Sequence, residues 1–458
     1  MKIVITGATG NVGTALIRAL AGTGDELVGI ARRCPPSDRE AHAPRYRGDS
    51  DPASTPDPAP VAPVDPDRYR VRGSSGDPAS DPARCPPADR DPDTHVRWAR
   101  GDRASMPEFG RRPPPDRDSD AHVPRAPGGR ASTRELACGP PVDREPETHV
   151  RWVSCDIGDP ASAPVLAAAC AGADAVVHLA WAVHPRRDDP PMARTNAGGS
   201  ARVLRAAAAA GVRQVVCASS AAAYRPGPRW QTVDEGAALG GVPGSAYSLG
   251  KVYLEAQLDE FERREPSIRV ARIRPCGIGQ AEAAGELAGW LLPPWLPRAL
   301  IGRRWLPVPL WKDLRLQLVH ADDVAAGVAL ILRRGASGAF NLAAEPVLPA
   351  AALADSYGGF RLPCPRRAAL AVARASWRLG LQPLHPGWLV LADRARLVDA
   401  TRARRDLGWS PRYDAAAVCA ELAAAMRADR RGHSAALDPA RLGVRLGRPT
   451  HQSQDPPP

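Results

Sequence analysis

Apolar residues recur along this chain in two alternating rhythms. Residues 2–5 form a short β-branched run, and 14–21 carries Ala15, Leu16, Ala19 and Leu20 at helical spacing. A buried strand followed by an amphipathic helix is therefore predicted. A second apolar run at 27–31 predicts another buried strand. After a long interruption the rhythm resumes with strands at 150–157, 175–179, 214–218 and 268–273. Helical patterns fall between them at 159–171, 196–210 and 248–263, the last presenting Val252, Leu254, Leu258 and Phe261 for packing. Strands alternating with helices predict an α/β fold, a doubly wound parallel sheet of Rossmann type. Beyond Gly279 the rhythm loosens. Helices are expected at 324–332, 350–357, 368–379 and 414–426, as a smaller C-terminal cap whose late elements rejoin the sheet.

The interruption at 34–149 has no helical or strand period and few large apolar residues. It holds 18 arginines against 21 aspartates and glutamates, a near-neutral polyampholyte with little to bury. A disordered insert between strands 2 and 3 is expected. It also repeats itself: 84–98 closely matches 139–152, and a third copy begins at Arg33. Irregular spacing and the lack of an amphipathic face argue against a solenoid and for duplication of one strand-to-strand connection. Only the last copy runs on into a foldable strand, so Val96–Trp98 is read as a spare that never docks. The expected organisation is a nucleotide-binding domain at 1–33 and 150–279, the insert at 34–149, a substrate-binding region at 280–429 and a disordered tail at 430–458.

Composition narrows the class. Fifty prolines and 41 glycines among 458 residues are too many for uniform packing, in keeping with a partly unfolded chain. No run of about twenty apolar residues occurs, so no membrane span is expected. The first strand begins at residue 2, leaving no room for a signal peptide. Nine cysteines without a Cys-x-x-Cys pair point to a reducing, cytoplasmic setting rather than disulfides or thiolate zinc. The net charge of +11 is carried by arginine, since Lys2, Lys251 and Lys312 are the only lysines. No nucleic-acid-binding motif accompanies that charge.

Three groups of residues carry candidate chemistry. Gly7, Gly10 and Gly13 lie between the first strand and helix, where backbone N–H groups and a helix N-terminus face a pyrophosphate. Glycine is needed because a side chain would hold the phosphates off the backbone. Tyr247 and Lys251 are four apart and share a helical face. A nearby ammonium favours the phenolate, bringing tyrosine towards the range of a general acid and base. A lysine in so arginine-rich a chain marks a specific role. Ser219 and Ser220 end a predicted parallel strand, where ligands of such sheets bind and where a hydroxyl can steady a substrate oxygen.

Taken together these motifs resemble the extended short-chain dehydrogenase/reductases of the NAD-dependent epimerase/dehydratase family. The likeness rests on Thr6-Gly7-x-x-Gly10-x-x-Gly13, Asp156-Ile157, Val177-His-Leu-Ala180, Thr195-Asn196, Ser219-Ser220-x-x-x-Tyr224, Tyr247-x-x-x-Lys251 and Arg274-Pro275. Val319-His-Ala-Asp-Asp323-Val, Asn341 and Leu407-Gly-Trp409 add to it. It covers residues 1–33 and about 150–427, with the motifs in family order. The resemblance implies a Rossmann-type NAD(P) domain with catalytic Ser220, Tyr247 and Lys251. It further implies cofactor contacts from Gly7, Thr9, Gly10, Asn11, Val12 and Gly13. Asp156 and Ile157 would serve the adenine, Leu179 and Ala180 would line the cofactor behind the fourth strand, and Asn196, Pro275 and Ile278 complete the set with Tyr247 and Lys251. A homodimer through a helical face is implied as well.

Two departures modify the expectation. Where NAD-preferring members carry an acid after strand 2, this chain has Ala31-Arg32-Arg33, and guanidinium groups suit a 2′-phosphate. NADP is expected in preference, with NAD as the alternative. Nucleotide-sugar members carry Asn after the Arg-containing sixth strand, whereas Cys276-Gly-Ile278 lacks it, and Trp290, Trp295, Trp305 and Trp311 crowd the expected cap. A more apolar substrate is admitted. His320, Asp322 and Asp323 read as a helix start rather than a metal site, and no metal is expected. His178 reads as a satisfied core residue. The expected function is proton and hydride exchange on a hydroxyl or carbonyl of a small molecule, without nucleic-acid or membrane partners; the rival is a non-catalytic, redox-sensing NAD(P)-binding protein.

Overall fold

The computed structural model describes residues 1–34, 149–183, 190–291, 297–382, 384–432, 434 and 436–437. The chain divides into two units, Met1–Arg45 with Val142–Pro458 and Tyr46–Pro141, and the second falls wholly outside the described residues. The expected insert with its repeats therefore lies outside them too, apart from Cys34 and His149.

Seven parallel strands form one sheet: β1 (Lys2–Thr6), β2 (Glu26–Ala31), β3 (Val150–Ser154), β4 (Ala175–His178), β5 (Gln214–Ala218), β6 (Arg269–Pro275) and β7 (Gly338–Leu342). Their spatial order is β7-β6-β5-β4-β1-β2-β3, the doubly wound order that reverses between β1 and β4. The helices include α1 (Asn11–Leu20), α2 (Ala163–Cys170), α3 (Ser200–Ala209), α4 (Ala246–Arg264), α5 (Ala321–Arg334), α6 (Pro386–Arg394) and α7 (Ala415–Arg427), with others at Pro190–Ala193, Ala284–Leu291, Ala350–Ser356, Arg366–Arg378 and Thr401–Leu407. Alternation along β1 shows why the strands are apolar throughout. Ile3 and Ile5 pack with Leu16 of α1 and Val324 of α5, while Val4 faces Leu166, Val203 and Leu258 on the other side. A sheet covered on both faces leaves no polar side to a strand.

The last repeat supplies the third strand, as expected: Leu27 pairs with Val150 and Gly29 with Trp152. A Cβ on Gly29 would sit 2.7 Å from the Trp152 ring, so the indole lies directly over the glycine. The strand stops at Ser154 rather than 157 because Asp156 turns the chain, its Oδ1 accepting from Gly158 N at 2.9 Å. The helix expected over 196–210 begins instead as a π-helical stretch, Arg194–Gly199, before α3 proper.

Late elements do return to the sheet, with β7 paired to β6. The motif at the start of α5 is structural. His320 Nδ1 accepts from Asp322 N at 3.2 Å, and the Asp323 carboxylate accepts from Arg412 N (2.9 Å) and Tyr413 N (3.2 Å). Trp409 Nε1 donates to Asp323 O, so the two distant motifs form one clamp. Of the expected tail at 430–458, residues 433, 435 and 438–458 lie outside the described residues, and within the rest Ser434 Oγ donates to Thr9 O at 2.6 Å and Leu437 is buried. Among the described residues no helix is long and apolar enough to cross a membrane.

Candidate functional site

Six strand ends deliver the candidate residues to one rim of the sheet. Gly7 follows β1, Arg32 and Arg33 follow β2, Asp156 and Ile157 follow β3, Leu179 and Ala180 follow β4, Ser219 and Ser220 follow β5, and Pro275 ends β6. At the β1/β4 reversal the backbones nearly touch. A Cβ on Gly7, whose φ is +72°, would lie 2.7 Å from Ala180 N, and one on Gly13 would lie 2.2 Å from Gly7 O. The turn closes only with glycine there. Gly10 caps α1 with no side-chain hydrogen bond, which leaves the first-turn N–H groups directed at the crevice. Two contacts brace this loop from outside: Gln280 Nε2 donates to Asn11 Oδ1 (2.7 Å), and Ser434 holds Thr9. Arg32 and Arg33 are exposed at the end of β2.

A second cluster forms across the crevice. Ser245 caps α4 by accepting from Ser248 N, and the buried Ser248 Oγ donates to Ala222 O at 2.6 Å. That bond ties the start of α4 to the turn beginning at Ser220. Tyr247 therefore sits beside Ser220, whose hydroxyl bonds the phenol and draws its pKa down, although burial raises the phenol above its ordinary value overall. Ser220 Oγ also accepts from Ala222 N at 3.1 Å and faces Pro275 O at 3.5 Å. Lys251, one turn along, is 3% exposed and donates to Ala218 O at 2.8 Å. Its Nζ lies 3.6 Å from the centre of the Trp181 ring and 5.8 Å from that of Tyr247.

Burial lowers the Lys251 pKa to about 7, against smaller opposing effects of Cys217 and Glu255. The expected lowering of the Tyr247 pKa by Lys251 is thus not what this geometry produces: burial raises it and only the Ser220 hydrogen bond opposes. Linkage gives a sign. The unfolded chain keeps Lys251 charged up to its ordinary value of 10.5, so the cost of burying charge is full below about pH 7 and fades as pH rises towards 10.5. Lys251→Met is expected to raise the melting temperature of the cofactor-free protein more at pH 6 than at pH 9.5. Equal gains at both pH values would contradict this.

The remaining predicted residues divide. Asp156 Oδ2 pairs with Arg194 at 3.1 Å, and Ile157 is buried. The Asn196 amide is engaged twice with Ala182, through Nδ2 to O (2.9 Å) and Oδ1 from N (2.7 Å). That fixes the strap after β4 which carries Trp181. His178 is satisfied, Nδ1 on Thr6 Oγ1 and Nε2 on Ser200 Oγ; burial drives its pKa down to about 3, so the ring stays neutral. Tyr224, Arg274 and Asn341 form a buried network under the site. Arg274 meets Glu255 at 2.8 and 3.0 Å and Tyr224 Oη at 3.0 Å, and Tyr224 donates to Asn341 Oδ1 at 2.7 Å.

Beside Tyr247 opens a cavity of about 530 Å³ between the strap, the π-helical stretch, the start of α4 and the start of α6. Trp388 stacks on Tyr247 with ring centres 5.1 Å apart. The tryptophans singled out from sequence are elsewhere. Trp311 is buried with Nε1 on Asp393, Trp305 is exposed, Trp290 is absent from the lining, and Trp295 lies outside the described residues. Trp181 and Trp388 line the site instead. Trp181 follows its strand directly and could have been found by extending the Leu179–Ala180 reading; Trp388 comes from a helix with no sequence signal to link it.

The crevice at the sheet's reversal and the glycine turn define a dinucleotide-binding α/β protein. Residues 3–56 and 130–343 match the model of the NAD dependent epimerase/dehydratase family, and the chain belongs to that family. Among curated proteins it is similar to a 3-diazoavenalumate denitrifying reductase of a Streptomyces species, 29% identical over 260 residues, covering 54% of this chain and 78% of that protein. An uncharacterized protein of Mycobacterium tuberculosis is 25% identical over 244 residues, 52% of this chain and 62% of its own length. Solved structures share the fold. A UDP-glucose-4-epimerase from Stenotrophomonas maltophila with bound NAD has a TM-score of 0.53 at 18% identity, covering 93% of this chain and 98% of its own. The dTDP-glucose 4,6-dehydratase DesIV from Streptomyces venezuelae, with NAD bound, has a TM-score of 0.52 at 19% identity over 94% and 98%.

Proposed function

We propose that the protein is an NADP-linked oxidoreductase or epimerase of the extended short-chain dehydrogenase type, acting on a hydroxyl or carbonyl of a small molecule. The observation that carries the reading is the meeting of Ser220, Tyr247 and Lys251 opposite the glycine turn. The donor set suits a dinucleotide: free first-turn N–H groups for a pyrophosphate, Asp156 and Ile157 towards an adenine, and Leu179, Ala180, Pro275 and Ile278 along the crevice. Bound there, the nicotinamide supplies or accepts the hydride. Ser220 holds the substrate oxygen. Tyr247 exchanges a proton with that oxygen, and its raised pKa keeps it a proton donor at neutral pH. Lys251 would hold the ribose hydroxyls, and polar partners there would restore part of its charge and favour the phenolate of Tyr247. Asn196 acts as a positioning residue for the strap. A reducing cytoplasm and a homodimer remain part of the proposal.

Arg32 and Arg33 support a preference for NADP, since the described residues after β2, as far as Cys34, offer two guanidinium groups and no carboxylate. The double variant Arg32→Ala, Arg33→Ala is expected to weaken NADPH binding by about 10- to 100-fold, the loss of charge-assisted hydrogen bonds to one phosphate. NADH binding should change less than about threefold on the same ground. Calorimetric titration of both cofactors into both proteins tests this. Equal affinity of the wild type for NADH and NADPH would overturn the preference.

A further inference from the structure

We infer that the cavity beside Tyr247 takes a flat aromatic aldehyde, ketone or alcohol rather than a nucleotide sugar, with Trp388 and Trp181 setting the specificity. This rests on the Tyr247 reading above and names the substrate class for it. The wall is mainly aromatic and aliphatic, with Trp181, Trp388, Tyr247 and Met192, and its polar members Asn196, Ser245 and His385 carry no fixed charge to pair with a phosphate. Among the described residues, no arginine, lysine, aspartate or glutamate lines it. Arginine forks are the usual side-chain partners of a diphosphate, and a chain with so many arginines places none of those described here. Each helical residue of the pair is faced by an indole, Tyr247 by Trp388 at 5.1 Å and Lys251 by Trp181 at 3.6 Å. Gly250, between them, lets the Trp181 ring approach α4: a Cβ there would lie 3.3 Å from its Cζ2. Trp181 Nε1 is buried without a hydrogen-bond partner, a donor that an acceptor oxygen on a ring substituent satisfies once the indole turns. Offset stacking on such indoles rewards a π-face over a saturated ring of equal size.

In the reducing direction the carbonyl carbon gains a hydride, with its electron pair, from NADPH, which leaves as NADP⁺. The oxygen gains the Tyr247 proton, water restores that proton, and the C=O π bond becomes a C–H and an O–H bond.

Binding separates this inference from the reading beneath it. NADPH-loaded protein is titrated calorimetrically with cinnamyl alcohol, with 3-cyclohexylpropan-1-ol and with UDP-glucose. Cinnamyl alcohol should bind about tenfold tighter than the saturated alcohol, with UDP-glucose failing to displace it. Trp388→Leu should reduce that preference to within about threefold at unchanged NADPH affinity, and Trp388→Phe should retain it. Equal affinity for the two alcohols, a preference untouched in Trp388→Leu, or displacement by UDP-glucose would overturn the inference. The aryl preference without NADPH-dependent reduction of cinnamaldehyde supports the ligand class and counts against the Tyr247 mechanism instead.

Discussion

Replacing Tyr247 with phenylalanine is expected to lower kcat at least about 100-fold, the usual contribution of a positioned general acid. The substitution is narrow in its effect. Phenylalanine keeps the ring that stacks on Trp388 and the helix capped by Ser245, so it removes only the hydroxyl beside Ser220. NADPH affinity should stay within about twofold and KM should move little, because the lost contact acts on the proton in flight rather than on binding. The pH profile carries a second sign. In the wild type the reductive rate should fall at high pH as Tyr247 loses its proton, and that limb should vanish in the variant. A kcat within fivefold of wild type would remove Tyr247 from the reaction.

The largest effect on stability is expected at Glu255. It is fully buried on α4 and shared between two arginines of β6, Arg274 through both oxygens and Arg272 at 3.2 Å. Arg272 has further partners in Asp259 and Glu262, whereas Glu255 is the carboxylate that holds Arg274. Glu255→Gln leaves the Arg274 charge buried beside a neutral amide, and breaking such a pair costs about 3–5 kcal/mol. Glu262→Gln, at a partly exposed edge of the same cluster, should cost under about 1 kcal/mol. Urea unfolding of the three proteins at pH 7 measures both differences. Burial alone would raise the Glu255 pKa, but hydrogen bonds and charge from Arg274 prevail and lower it. The stabilisation is thus present above its ordinary value of 4.5 and is lost as pH falls through the lower folded value. The gap between wild type and Glu255→Gln should narrow in acid. A cost at Glu255 no larger than at Glu262 would mean that the buried network is not what holds α4 against β6.

The sheet was legible because its signal is local. Each strand is a short apolar run and each helix a 3.6-residue pattern, and a strand buried on both faces leaves a continuous hydrophobic word such as that at 3–5. The third strand could be read across more than a hundred residues, because only the last repeat copy continues into Val153 and Cys155. Tyr247 and Lys251 were legible because helical spacing alone sets them on one face. What escaped depended on contacts between distant segments. Nothing local links Trp388 to Tyr247, or Ser434 to Thr9. Nor does anything local tell that the Trp311 indole is buried on Asp393. The motif residues Tyr224, Arg274 and Asn341 could be recognised as belonging together, but their shared role as a buried hydrogen-bonded floor follows from β5, β6 and β7 lying side by side. Electrostatics escaped for the same reason. Spacing places an ammonium near a phenol, whereas burial and the Trp181 ring decide how much charge that ammonium keeps.

These points converge on the cluster facing the glycine turn. The most direct measurement follows deuterium from the nicotinamide C4 of labelled NADPH into product, using cinnamaldehyde and small aliphatic ketones with wild-type protein and Tyr247→Phe. The account predicts one deuterium on the carbinol carbon in the wild type, and transfer reduced at least about 100-fold in the variant at unchanged NADPH affinity. Label transferred equally by both proteins would contradict it. So would tight NADPH binding with no transfer to any carbonyl, the behaviour of a non-catalytic sensor.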